Sequence, residues 1–152
     1  MQFPEFSPEE EEPVVPVSLY CEEVELPTQL PDIKTLTTWI ERLAREEGVA
    51  LQELSFIFCT DDYLLQINQE YLQHDYYTDV ITFQLSDGLL HGDIFISLDR
   101  VADNASQMET PFEYELLRVI VHGVLHLAGY RDKTAAEEAT MRMKENYYLE
   151  LL

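Results

Sequence analysis

From Val17 onward, stretches whose apolar residues recur every second position give way to stretches where they recur every third or fourth. These are the periods of strands and helices. VSLYCEEVEL, residues 17–26, mixes β-formers with glutamates, and Pro27 closes it, the pattern of an edge strand. Asp32 is placed to cap a helix through IKTLTTWIERLAREEG, whose Ile33, Leu36, Ile40 and Leu43 share a face and which Gly48 ends. LSFIFC (54–59) reads as a buried strand. Thr60 caps a second helix, DDYLLQINQEYL, with Asp61 and Asp62 at the positive end of its dipole. Strands DVITFQL (79–85) and GDIFISL (92–98) follow, separated by an Asp87-Gly88 turn.

The last third is helical and well punctuated. Thr110, Pro111 and Glu113 supply an N-cap, a first-turn proline and a capping-box acid for FEYELLRVIVHGVLHLA, which Gly129 ends. Thr134 and Glu137 repeat the capping box and open a final amphipathic helix, AAEEATMRMKENYYLELL, expected to set its Met, Tyr and Leu face on the core. The resulting expectation is an α+β domain over 17–152: a small mixed sheet packed with helices.

Composition narrows this picture. A chain of 152 residues that is 46% hydrophobic fits one core. The proline- and glutamate-rich segment 1–16 is expected to be an acidic, flexible tail. No apolar run reaches the roughly 18 residues of a membrane span, and the N-terminus resembles no signal peptide, so a cytoplasmic protein with no membrane partner is expected. Two separated cysteines, Cys21 and Cys59, argue against a disulfide framework. With 30 acids against 9 Lys plus Arg, the net charge of −21 repels nucleic acid on average.

Candidate chemistry sits at the end of the penultimate helix, in HGVLHLAGYRD, residues 122–132. Four helical residues advance about 400° and roughly 6 Å, so His122 and His126 project from one face. Such a pair alone is equally a feature of core or surface histidines. Three additions point to a metal: Gly129 lets the chain reverse, Asp132 brings a hard oxygen after the turn, and the surrounding helix is apolar. Two imidazoles and one carboxylate leave positions open for water, the pattern of a catalytic site for one divalent ion. Zinc, or a neighbouring transition ion, suits the nitrogen-rich set better than magnesium does. Asp79 and Asp93 are candidates for a proton acceptor or a partner of the ligands, with strand-end capping as the alternative. Arg118, one turn before His122, is a candidate phosphate contact or a counter-charge for Glu115 or a neighbouring acid.

His122 through Tyr130 closely resembles the helical HGxLHLxGYxH pattern of the YbeY endoribonucleases, also called rRNA maturation factors. Asn68 and Tyr71, Thr78 to Phe83, and Gly92-Asp93-Ile94 are similar to that family's N-x-x-Y, T-D-V-L-S-F and G-D-I blocks, in order. The resemblance covers residues 17–152. It implies metal-assisted hydrolysis of single-stranded RNA in ribosomal RNA maturation and ribosome quality control, with RNA and the ribosome or its assembly proteins as partners. Two positions depart from the pattern: Asp132 replaces a third histidine, and Leu72 follows Tyr71 where the family commonly has arginine. His74, two residues on, is either a pH-sensitive contact or a solvent-exposed loop histidine.

Two other functions share these features. The spacing from His122 to Asp132 equals that of the metzincin proteases, H-E-x-x-H-x-x-G-x-x-H, but Gly123 stands where those enzymes place a catalytic glutamate. A non-catalytic, metal-stabilised ribosome-assembly protein, docking through its acidic surface, is the third class.

Overall fold

The computed structural model describes residues 15–152, so the expected acidic tail lies almost wholly outside the described residues. Four strands, β1 (Val17–Cys21), β2 (Ala50–Cys59), β3 (Val80–Gln84) and β4 (Leu89–Ser97), form a sheet in the order β1-β2-β4-β3. β1 and β4 flank β2 in parallel, and β3 closes the far edge antiparallel to β4. The expected mixed sheet is therefore present. β1 ends five residues before the sequence pattern does, and β2 and β4 begin earlier than it indicated.

Strand alternation separates two cores. Leu54, Phe56 and Phe58 of β2, with Ile94 and Ile96 of β4, face α1 (Ile33–Glu47), α4 (Phe112–Leu127) and α5 (Ala135–Glu150) in the main cluster. Cys59, Ile81 and Phe95 point to the opposite face, where Leu64 and Ile67 of α2 (Asp61–Leu72) cover them. Trp39 of α1 fastens the C-terminal helix by donating its indole N–H to the Tyr148 carbonyl at 2.7 Å.

Capping explains most helix starts. Asp32 accepts from the Thr35 amide at 2.7 Å, Thr60 from the Tyr63 amide at 3.1 Å, and Thr134 with Glu137 forms the reciprocal box. The cap expected at Thr110 is corrected by one residue. Pro111 is extended (φ −61°, ψ 146°) and occupies the N-cap itself, with no side-chain bond, and the Thr110 hydroxyl is buried without a partner. One helix escaped the sequence pattern, α3 (Leu98–Gln107), which Ser97 caps through the Arg100 amide at 3.2 Å. Only its Val101 and Ala105 are buried, too narrow a stripe to declare a period. Among the described residues no helix is long and apolar enough to cross a membrane.

Candidate metal centre

α4 positions the site because its two faces have different tasks. Val119, Ile120, Val124 and Leu127 bury one side in the core, while Arg118, His122 and His126 recur every fourth residue along another. Gly123 lets the helix press on the sheet: a Cβ there would lie 2.8 Å from Ile94 Cγ2 and 3.5 Å from Val80 Cγ2. Gly129, at φ +108°, then reverses the chain and returns Asp132 to the histidines.

The three expected ligands meet. His122 Nε2 and His126 Nε2 are 2.9 Å apart, and Asp132 Oδ2 lies 3.2 and 3.3 Å from them. Ligands held at about 2.0–2.1 Å around a tetrahedral ion are separated by roughly 3.3 Å, so the triad fits such an ion with little adjustment. Hydrogen bonding at the far side of each ring aims these nitrogens inward. His122 Nδ1 is 2.7 Å from Glu145 Oε2, and His126 Nδ1 is 2.9 Å from the Tyr130 carbonyl. Both partners accept, which places the ring proton on Nδ1 and the Nε2 lone pair toward its neighbours. Two ring nitrogens and a carboxylate oxygen brought together in this way form a donor set for a cation.

Glu145 went unassigned in the sequence, yet it organises the site. Its other oxygen accepts from Arg118 Nη1 at 2.7 Å, and its side chain is 5% exposed. Burial alone raises the Glu145 carboxyl, but hydrogen bonds and charge from His122 and Arg118 outweigh it and hold the pKa below the usual value. Burial conversely disfavours the His122 cation, and Glu145, Asp79 and Asp132 overturn that, lifting the imidazole pKa. The field around His122 is thus strongly negative.

Tyr130 is braced from still further away. Its hydroxyl donates to Glu47 at the end of α1, which also receives Tyr148 Oη and, at 3.1 Å, Lys144 Nζ.

Two open depressions flank the triad. One, of about 280 Å³, is lined by Asp79, Arg118, His122, Asp132, Arg142 and Glu145. The other, of about 370 Å³, runs past His122, His126 and Asp132 to Asn68, Leu72, His74 and Tyr76. Asp79 borders both and accepts from Asn104 of α3 at 3.1 Å. Burial raises its carboxyl pKa, with the charge of His122 working against the rise. Asp93 is not brought to the site. It lies on the opposite face of the sheet, in a groove with Tyr63, Phe83 and Phe95, because β4 alternates and Ile94 takes the inner side. Arg118 lines the first depression, but Nη2 serves Tyr114 and Asn146 while Nη1 serves Glu145. Arg142, which no sequence motif singles out, lines it with a side chain 48% exposed and 3.5 Å from Glu145 Oε1.

The Gly123 contacts also bear on proteolysis. A side chain at 123 would point into Ile94 and Val80 rather than toward the triad, so this helix has no room for a glutamate base at that position.

Residues 22–152 match the family model described as endoribonuclease YbeY. Endoribonuclease YbeY of Cytophaga hutchinsonii is 50% identical over 125 residues, covering 81% of this chain and 87% of the relative. That of Phocaeicola vulgatus is 49% identical over 127 residues, covering 82% and 92%. The solution structure of TM1509 from Thermotoga maritima superposes with a TM-score of 0.63 at 31% identity, over 88% of this chain and 87% of that one.

Proposed function

The chain belongs to the YbeY endoribonuclease family, and from that premise we propose that it is a zinc-dependent endoribonuclease cutting single-stranded ribosomal RNA at the His122, His126, Asp132 triad. The nuclease role in rRNA processing comes with the family. The observation that carries the assignment of the site is the convergence of two Nε2 atoms and one carboxylate oxygen, within 3.3 Å of each other, on open depressions.

When bound, a divalent ion in the triad supplies an activated water and positive charge for a non-bridging phosphate oxygen. The chain's own groups supply the rest. Asp79, whose burial moves its pKa toward neutrality, is the proton acceptor for the attacking oxygen. Arg142 is the exposed cation for the scissile phosphate. Arg118 acts from behind, keeping Glu145 charged and in place against His122. The net charge of −21 makes basic ribosomal or assembly proteins the partner class that brings the enzyme to its RNA, in the cytoplasm.

Incubation of zinc-loaded protein with single-stranded RNA and, separately, with casein tests this reading. RNA should be cut, with loss of cutting in His126→Ala and a 10²- to 10⁴-fold slower rate in Asp79→Asn. Casein cleavage that His122→Ala abolishes, with RNA left intact, would refute the assignment.

A further inference from the structure

Proteins that hold a nucleic-acid strand ordinarily line its path with cations. The 370 Å³ depression beside the triad has neither Lys nor Arg among its lining residues, and Asp79 and Asp132 add negative charge to it. Any grip on RNA along this arm must come from something other than phosphate attraction.

What the arm offers is an aromatic shelf. The rings of His74 and Tyr76 stack with centroids 5.1 Å apart at 20°, and Tyr76 Oη lies 3.0 Å from His74 Nδ1. A buried side chain fixes the loop that carries them. Asn68, 1% exposed, donates from Nδ2 to the Tyr76 carbonyl at 2.9 Å, and its backbone carbonyl accepts from the His74 amide at 3.1 Å. Tyr76 nevertheless remains 56% exposed although His74 covers one side of its ring. A ring on a pinned backbone, backed on one face by His74 and open elsewhere, beside the triad, is preorganised for stacking.

We infer that Tyr76, backed by His74, is a stacking shelf for an unpaired nucleobase of the RNA strand that crosses the metal triad. Every base has a π-face, so the shelf selects single strands over duplex without reading sequence. It gives an arm lined by neither Lys nor Arg a means of holding RNA. The inference rests on the ribonuclease reading and extends it to how the substrate is held.

Fluorescence anisotropy on the full-length, zinc-loaded protein tests it with two probes, each checked for integrity on a denaturing gel after titration: a labelled 2′-O-methyl single-stranded oligoadenylate, and an oligomer of equal length that is abasic throughout. Tyr76→Ala should weaken oligoadenylate binding by about 5- to 150-fold, leave abasic binding unchanged and keep the salt slope of the wild type. Tyr76→Phe and Tyr76→Trp should retain or restore affinity. Thermal melts establish that each variant is folded. If Tyr76→Ala binds oligoadenylate as wild type does, or loses both probes equally, the shelf is refuted while the ribonuclease reading stands. If the wild type binds neither probe and cuts no RNA, the ribonuclease reading falls and takes the shelf with it.

Discussion

Replacing Glu145 by glutamine keeps the shape of the side chain and removes its charge, and this isolates what the carboxylate does for the metal centre. Its two oxygens accept from His122 Nδ1 and from Arg118 Nη1, each at 2.7 Å. An amide has one oxygen. If that oxygen stays on His122, the NH₂ group faces a guanidinium; if it turns to Arg118, the NH₂ group donates to His122 Nδ1 and drives the ring proton onto Nε2, the ligand atom. Either arrangement costs metal affinity, and loss of a hydrogen-bonding partner of this kind costs about 10- to 100-fold, or roughly 1.4–2.7 kcal/mol. Charge-assisted bonds to a group only 5% exposed add a stability loss of about 1.5–3 kcal/mol. Competition for zinc against a chromophoric chelator reads the affinity directly, with no dependence on activity. Glu138→Gln is the control, because Glu138 lines the same depression, is exposed, and removes the same charge without touching His122. It should change affinity less than about threefold. A folded Glu145→Gln protein with wild-type affinity, or an equal loss in Glu138→Gln, would refute the argument that Glu145 acts by fixing the ring.

Glu115 offers a pH test. Burial raises its carboxyl pKa above the ordinary 4.5 against the opposing charge of Arg118, and its Oε2 has no hydrogen-bond partner. The folded state therefore holds this proton more tightly than the unfolded chain does, so the penalty is absent below the ordinary glutamate pKa and complete above the raised one. Glu115→Gln should stabilise the protein by about 1–3 kcal/mol at pH 8, with the gain vanishing near pH 4 in urea denaturation; a pH-independent difference would contradict this. Gly123→Ala tests the contact between helix and sheet. Helix propensity gains about 1 kcal/mol, but a Cβ 2.8 Å from the branched Cγ2 of fully buried Ile94 costs about 1–3 kcal/mol. The expected net loss is up to about 2 kcal/mol by thermal melt, and a rise in stability would mean the sheet yields freely.

The sequence displayed the candidate ligands because their geometry is local. His122 and His126 are one helical turn apart, and Asp132 follows a glycine reversal, so periodicity alone brings them together. Their supports were not legible for the same reason inverted. Glu145, Glu47 and Asn104 arrive from α5, α1 and α3, and only the tertiary fold sets them against His122, Tyr130 and Asp79. A trace of Glu145 existed nonetheless. With Met141 and Tyr148 it makes the stripe by which α5 is buried, and a charged residue at such a position requires a partner. The expected apolar face of α5 is thus only half apolar, since Met143 and Tyr147 point outward while Glu145 points in.

The charge balance reads differently once these pairings are known. A net charge of −21 weighed against RNA on the assumption that acids and bases are spread over a common surface. Two of the acids beside the site are instead internal: Glu145 holds His122 in place and Glu47 holds Tyr130. The nine Lys and Arg are similarly drawn down, because Arg118 and Lys144 are bound to Glu145 and Glu47. Arg142, half exposed and only loosely paired to Glu145 at 3.5 Å, is the more accessible cation on one side of the triad, and aromatic rings lie on the other. A site so arranged takes little of its affinity from phosphate attraction. If, as proposed, the metal holds the reacting phosphate and stacking holds the strand, RNA binding should vary less with salt than that of a basic nuclease.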